Sequence, residues 1–198
     1  MGAFLRKSSS RANNDPEGIE AKSLRARLLT RARGEQTLRQ MRKLGLRAEP
    51  PIRLAGRSIV DARFAWAVEI GAHTIIAGDV RIIAHDAAIK RITGYTEVRP
   101  VAIGKRCYIG AGTIILPGAV IGDEAVIGAG AVVRGEIPAR SLAVGAPAKV
   151  VGNIEDLRER HLAQIESSPR FGRPAKLKAA EIEQMKHALK EHGRIYVR

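Results

Sequence analysis

A branched aliphatic residue recurs every six positions through the middle of the chain, and this period restricts the fold more than any other feature of the sequence. The position two residues before each member is almost always occupied by a small residue. A helix repeats its faces every 3.6 residues and a strand every 2, so neither produces a period of six. Each unit is therefore predicted to be a short strand followed by a turn, stacked in a β-solenoid. The column consists of Ile103, Ile109, Ile115, Ile121, Ile127 and Val133.

The same period continues upstream and is then interrupted. Ile82 and Ile103 are 21 positions apart, which is not a multiple of six, so the chain is predicted to leave the solenoid between them. In a repeat fold such an insertion is where function is usually carried, because the coils themselves supply a rigid wall. The insertion over residues 84–102, with His85 at its start, is therefore the first candidate site. The upstream column is predicted to contain Ile82, Ile76 and Ile70, and then Phe64, Ser58 and Ile52.

The chain divides into four predicted regions. Residues 1–17 are polar and turn-rich and predict a disordered tail. Residues 18–50 carry leucines at roughly helical spacing among Arg and Lys, which predicts a basic helical segment. Residues 51–152 form the predicted solenoid domain, and residues 153–198 a charged, helical C-terminal extension. The predicted fold class is thus an all-β parallel solenoid with helical segments at both ends.

Composition excludes several classes of protein. The only cysteine, Cys107, permits neither an intramolecular disulfide nor a cysteine zinc site, and it fits a reducing cytoplasm. We expect neither a signal peptide nor a membrane span, since no stretch approaches about 20 apolar residues. The net charge of +14 points to an anionic partner, but only 4% of residues are aromatic and no nucleic-acid-binding motif is recognised. We expect no specific nucleic-acid ligand, whereas the basic N-terminal segment is predicted to reach a peripheral contact with an anionic membrane.

Three stretches of the sequence carry a family resemblance. VAIGKRCYIGAGTIILPGAVIGDEAVIGAGAVV and the following IPARSLAVGAPAKVV resemble the hexapeptide-repeat acyltransferases, in particular the maltose and galactoside O-acetyltransferases. IGAHTIIAGDVRIIAHDAAIKRITGYTEV is similar to the region of the catalytic histidine in bacterial cell-surface polysaccharide O-acetyltransferases. The resemblance covers about residues 45–198. It implies a left-handed parallel β-helix, an exception to the right-handed crossover rule, and a homotrimer with active sites between subunits.

The resemblance further implies an acetyl-CoA-dependent transfer of an acetyl group to a hydroxyl of a saccharide or cell-surface glycan precursor, with no metal. An alcohol is a poor nucleophile until its proton leaves, and the histidine side chain, which ordinarily titrates near pH ~6.5, is suited to accept that proton. His85 matches the family's catalytic histidine and is the predicted general base. Asp61 matches an aspartate that binds the sugar, and Tyr95 is a further substrate candidate near the loop tip. Asp86, also grouped with the substrate, is predicted either to orient the imidazole or to cap the loop.

The resemblance also implies a set of residues for coenzyme A. Small residues let the pantetheine arm approach the backbone, an aromatic residue lines the groove, and cations lie near the phosphates. The glycines and alanines equally fit the geometry of the coil, so a structural role stands beside the binding role. The family's second cation after Arg134 is replaced here by Gly135. The predicted coenzyme A residues are Tyr108, Gly110, Ala111, Gly128, Ala129, Arg134 and Lys149.

Other functions remain open. A carbonic anhydrase of the same solenoid class needs three histidines around zinc, whereas this repeat holds only His73 and His85, of which His73 is predicted to be a turn residue. An N-acyltransferase acting on an amino sugar is one alternative. A basic solenoid that binds without catalysis is another, and the interruption at His85 argues against it.

Overall fold

The computed structural model describes residues 37–172 and 178–198. A short helix, α1 (Leu38–Lys43), precedes the solenoid. It begins at a capping box in which the Thr37 hydroxyl accepts from the Gln40 backbone N–H and the Gln40 side chain accepts from the Thr37 N–H. The predicted tail and most of the predicted basic helical segment lie outside the described residues.

Short parallel strands stack in three sheets, and the chain visits the sheets in turn. This arrangement confirms that the six-residue units are strands followed by turns. The first sheet contains β1 (Arg47–Ala48), β4 (Val68–Ile70), β9 (Val101–Ile103), β12 (Val120–Ile121) and β15 (Glu136–Ile137). The second contains β2 (Arg53–Leu54), β5 (Ile75–Ile76), β10 (Tyr108–Ile109), β13 (Val126–Ile127), β16 (Ser141–Val144) and β17 (Lys149–Asn153). The third contains β3 (Ile59–Val60), β6 (Arg81–Ile82), β11 (Ile114–Ile115) and β14 (Val132–Val133).

The branched column forms the core. In the second sheet Ile76, Ile109 and Ile127 lie in register on adjacent strands, and each is fully buried. Each such side chain contributes about 1.5–3 kcal/mol through removal from water. The small residues two positions earlier are also buried, and each is the last residue of a turn: Cys107, Thr113, Ala119, Ala125 and Ala131.

Upstream of Ile70 the register differs from the prediction. The chain takes ten positions rather than six from Val60 to Ile70, because residues 61–67 form an extra segment that ends in a 3₁₀ helix, Ala65–Ala67. The column predicted through Phe64, Ser58 and Ile52 is therefore wrong. The residues that pair with Ile70, Ile76 and Ile82 are instead Ala48, Leu54 and Val60. The first strand consequently begins at Arg47, ahead of the predicted domain boundary at residue 51.

The insertion and the C-terminal region complete the described chain. The insertion is a hairpin of β7 (His85–Asp86) and β8 (Glu97–Val98), with a helical turn, α2 (Lys90–Thr93), at its tip. After β17, which pairs antiparallel with β16, follow α3 (Ile154–Glu166), β18 (Arg170–Phe171), α4 (Ala179–His192) and β19 (Tyr196–Val197). Strands β18 and β19 pair in parallel. Among the described residues, no helix has the length and apolar character needed to cross a membrane.

Turns join the sheets at three corners, and the turns of successive coils stack on one another. The His85 corner leads from the third sheet to the first and comprises residues 61–67, 83–100, 116–119 and 134–135. The Ala111 corner leads from the second sheet to the third and comprises residues 55–58, 77–80, 110–113 and 128–131. The Glu124 corner leads from the first sheet to the second and comprises residues 49–52, 71–74, 104–107, 122–125 and 138–140.

Candidate active site

His85 lies where the chain leaves the solenoid. It is the first residue of β7, opposite Val98 of β8, and its side chain is 34% exposed. The hairpin closes at its base because the Arg99 N–H donates to the Ala84 carbonyl over 2.9 Å. The insertion therefore leaves and rejoins the solenoid at one point, which fixes the backbone that carries the imidazole.

A buried carboxylate holds one nitrogen of this imidazole. Oδ2 of Asp61 is hydrogen-bonded to Nδ1 of His85. Oδ2 also accepts the Ala84 N–H over 3.1 Å, and Oδ1 accepts the Phe64 N–H over 3.4 Å. Because two backbone donors already point at the carboxylate, it acts as the acceptor, and Nδ1 carries the proton. The lone pair of His85 is consequently placed on Nε2, the nitrogen that remains for chemistry.

Two aromatic rings extend from the imidazole. The Phe64 ring lies 5.1 Å from the His85 ring, centroid to centroid, and 6.2 Å from the Trp66 ring in an edge-to-face arrangement. Both aromatic residues belong to the extra segment that also supplies Asp61. The period of six predicts Phe64 in the core column, so the position of both rings beside His85 does not follow from it. The ten-residue spacing between Val60 and Ile70 was the signal that would have shown the segment.

The other residues predicted to contact substrate lie further out. Oδ1 of Asp86 accepts the Ala88 N–H over 2.7 Å, so Asp86 caps the turn, while the role of orienting the imidazole falls to Asp61. Tyr95 follows Gly94, the left-handed residue that ends α2, and is 78% exposed. The substrate-binding roles of Asp61, Asp86 and Tyr95 stay predictions.

The small residues predicted to bind coenzyme A lie at the Ala111 corner. Ala111 and Ala129 are exposed on successive coils, and the Gly130 N–H donates to the Ala111 carbonyl over 2.8 Å. A Cβ added to Gly110 would lie 2.5 Å from the Ala129 nitrogen, so close stacking of the coils already requires glycine there. At Gly128 an added Cβ would lie 2.8 Å from a Val144 methyl carbon. The structural role of these glycines is thus explicit, and the binding role stays a prediction.

The remaining coenzyme A candidates lie elsewhere on the solenoid. Arg134 is exposed at the His85 corner, two coils beyond His85. Lys149 is exposed at the start of β17, and Tyr108 is 45% exposed on the outer face of the second sheet. Neither cation forms an ion pair with any residue that the structure describes. Arg134 and the small residues therefore lie at two different corners of one chain, while Tyr108 and Lys149 lie on strands of the second sheet.

His73 lies at a different corner of the solenoid from His85. His73 occupies a turn of the Glu124 corner with a φ of 62°, as predicted for a turn residue. Across residues 37–172 and 178–198, no three His, Cys, Asp or Glu side chains are grouped as metal ligands.

Comparison with known proteins supports the family resemblance. The family model "Bacterial transferase hexapeptide (six repeats)" matches residues 100–135. The chain is 35% identical over 100 residues to "Putative acetyltransferase YvoF" of Bacillus subtilis, a match that covers 50% of this chain and 56% of the relative. It is 34% identical over 100 residues to the galactoside O-acetyltransferase of Escherichia coli, covering 45% and 48% of the two chains. The matches thus span about half the length of these relatives.

A solved structure is also similar. The maltose O-acetyltransferase from Clostridium difficile 630 aligns with a TM-score of 0.49 and 27% identity, covering 66% of this chain and 84% of that one. The family match and the sequence relatives confirm the predicted resemblance to hexapeptide-repeat acyltransferases.

Proposed function

We propose that this chain is an acetyl-CoA-dependent O-acetyltransferase that transfers an acetyl group to a hydroxyl of a saccharide or cell-surface glycan precursor. The observation that carries the proposal is the hydrogen bond between Asp61 and His85 at the interruption of a hexapeptide repeat. It leaves Nε2 as the basic nitrogen of a half-buried imidazole. The galactoside O-acetyltransferase named among the similar proteins supports a sugar hydroxyl as the acceptor.

The proposed reaction is a direct transfer in which His85 moves one proton. Nε2 accepts the proton of the acceptor hydroxyl as that oxygen attacks the carbonyl carbon of the thioester. The tetrahedral intermediate then collapses with cleavage of the carbon–sulfur bond, and the imidazolium returns the proton to the sulfur of coenzyme A. The buried Asp61 carboxylate stabilises the imidazolium between the two transfers and keeps Nδ1 protonated. No covalent acyl-enzyme is needed.

A homotrimer completes the proposal. His85 and Arg134 lie at one corner of the solenoid, whereas Ala111 and Ala129 lie at another. In a homotrimer, a coenzyme A molecule touches both sets by lying between the His85 corner of one copy and the Ala111 corner of its neighbour. The two exposed alanines offer a smooth strip to the pantetheine arm. Arg134 and Lys149, which form no ion pair within residues 37–172 and 178–198, suit the phosphates of coenzyme A. We further propose that the coil is left-handed and that the protein is cytoplasmic. The basic N-terminal segment is proposed to contact an anionic membrane.

Release of free coenzyme A thiol tests the reaction. Wild-type protein with acetyl-CoA is assayed against a panel of sugars, nucleotide-sugars and amino sugars, beside His85→Asn and His73→Asn. Asparagine at position 85 keeps a donor for Asp61 but removes the base, so kcat is expected to fall about 10²–10⁴-fold. His73→Asn is the matched control, because asparagine tolerates the positive φ at that turn. Undiminished activity of His85→Asn would remove His85 as the base, and turnover of amino sugars alone would make the protein an N-acyltransferase.

Complementation tests the shared site. His85→Asn and Ala111→Trp, each inactive as a homotrimer, damage different corners. Mixed trimers refolded or coexpressed from the two variants contain interfaces in which both corners are intact, and activity should return. A monomeric protein by light scattering, or no recovery in verified mixed trimers, would contradict a site between copies.

A further inference from the structure

Trp66 is exposed beside the candidate catalytic histidine without being part of the proposed chemistry. Its side chain is 57% exposed, and it is the only tryptophan in the chain. Large aromatic residues bury most of their surface in a folded protein, so an exposed tryptophan next to a site indicates a surface for a ligand.

The position of Trp66 is set by the backbone around it. The 3₁₀ helix buries Ala65 and Ala67, which directs the residue between them outward. Gly45, with a φ of 97°, packs against this residue so closely that an added Cβ would lie 2.7 Å from the Trp66 Cβ. The indole is therefore held at its base by two structural elements, while more than half of the side chain stays exposed within the described structure.

The three rings follow one another in the order His85, Phe64 and Trp66, which keeps the indole apart from the reacting imidazole. Phe64 is in ring contact with both His85 and Trp66, whereas those two are not in ring contact with each other in the described structure. A sugar ring stacked on the indole beyond Phe64 would lie away from His85. A hydroxyl that reaches Nε2 would then belong to another ring of the same acceptor.

Trp66 and the predicted coenzyme A residue Arg134 lie on different coils of the His85 corner. The extra segment with Trp66 belongs to the first coil of the His85 corner, His85 to the second, and Arg134 to the fourth. Arg134, a predicted residue for coenzyme A, therefore lies on one side of His85, and Phe64 and Trp66 lie on the other. This order leaves the Trp66 side for the acceptor.

We infer that Trp66 is a binding surface for a second sugar ring, so that the acceptor is an oligosaccharide or glycan chain rather than a monosaccharide. The inference rests on the proposed function, because it assumes that His85 acts on a saccharide. One apolar C–H face of the outer ring stacks on the electron-rich indole face, and the next ring reaches Nε2. Phe64 supports this arrangement because its ring contacts both the Trp66 indole and the His85 imidazole.

The single tryptophan provides a readout that needs no turnover. Emission of the full-length protein is recorded without acetyl-CoA, during titration with maltose, maltotriose and lactose, and with glucose and galactose as single-ring probes. The free protein should show the emission maximum and acrylamide quenching of an exposed indole. At least one multi-ring probe should shift the emission and protect it from acrylamide, while the single-ring probes leave it unchanged. An indole already protected in the free protein, because another part of the chain or another copy covers it, would overturn the inference, as would an emission unaffected by every multi-ring probe.

Kinetics provide the second readout. Trp66→Ala should raise KM for a multi-ring acceptor about tenfold, with kcat and KM for acetyl-CoA changed by less than about twofold, whereas Trp66→Phe keeps most of the affinity. Leu189→Ala, an exposed apolar residue of α4, serves as the control. An unchanged KM in Trp66→Ala overturns the inference and leaves the proposed function intact. If wild type releases no thiol with any sugar, the proposed function fails, and the emission titration alone decides whether Trp66 binds saccharide.

Discussion

Oδ2 of Asp61 is hydrogen-bonded to Nδ1 of His85 although the two residues lie 24 positions apart in the sequence. Each follows a strand of the third sheet, and β3 and β6 pair in parallel, so the coil stacks the two turns directly. The buried carboxylate is further held by the Ala84 and Phe64 N–H groups. The orientation of the imidazole is therefore set by the stacking of two successive turns of the solenoid.

Replacing this carboxylate should impair catalysis without loss of the fold. Asp61→Asn keeps the size of the side chain but offers an amide where Nδ1–H donates, which favours the wrong tautomer of His85. We expect kcat to fall about 10²–10⁴-fold, with KM for acetyl-CoA changed little. Thiol release measures kcat, and circular dichroism verifies the fold.

Glu49→Gln is the matched control for this variant. Glu49 lies on the Glu124 corner, exposed and paired with Lys105, so the loss of its charge should leave kcat unchanged. Equal activity of Asp61→Asn and wild type would show that the carboxylate does not position the base.

The downstream half of the solenoid could be predicted from sequence because each core residue there is located by the one six positions before it. From Ile103 to Val133 every core residue follows the previous one by six positions, and the structure buries all of them. His85 was identified for the same reason, since a break in a strict period is visible without any knowledge of contacts. The resemblance then supplied the chemistry.

The upstream half could not be predicted from the six-residue period, because one extra segment shifts the register of every core residue that precedes it. The segment over residues 61–67 lengthens the step from Val60 to Ile70 from six positions to ten. Counting back in sixes therefore assigned Phe64 to the core column, although it packs against His85. The pairing of Asp61 with His85 was hidden by the same segment. A count that allowed ten positions between Val60 and Ile70 would have placed Asp61 in the turn above Ile83.

Close stacking of coils predicts that glycines at one corner are needed for stability. In Gly110→Ala the new Cβ would meet the Ala129 backbone at 2.5 Å, and backbone cannot move aside cheaply. We expect the variant to lose about 1–3 kcal/mol of unfolding free energy. Gly152→Ala is the control, because no atom lies within 4 Å of its added Cβ. Thermal and denaturant unfolding measure both, and equal midpoints would contradict the stacking argument.

The Glu124 corner carries a run of ion pairs that predicts acid sensitivity. Glu124 accepts from Arg106 and Arg140, and Arg140 also pairs with Glu155 of α3. The hydrogen bond from Arg106 lowers the pKa of the Glu124 carboxyl below its usual value. A lowered folded-state pKa stabilises the fold above the ordinary glutamate pKa of about 4.3, and this contribution is lost as the pH falls through the folded-state value.

Glu124→Gln should accordingly melt below wild type at neutral pH, and the difference should shrink as the solution is acidified. Melting temperature measured against pH tests this, with Glu136→Gln as the control, since Glu136 is exposed and has no ion pair within the described chain. A difference that is independent of pH would show that the charge of Glu124 contributes nothing.

Burial of Cys107 predicts an unreactive thiol. The side chain is 1% exposed, its Sγ donates to the Gly122 carbonyl over 3.2 Å, and burial raises its pKa. Alkylation requires the thiolate, so iodoacetamide should label the folded protein far more slowly than the protein in concentrated guanidinium chloride. Mass spectrometry gives an unambiguous count because the chain has one cysteine. The control is Cys107→Ala combined with Val120→Cys, which moves the thiol to the exposed face of β12 and should label rapidly without denaturant. Equal native labelling rates for the two thiols would contradict the burial of Cys107 and, with it, the stacking of the turn between β9 and β10.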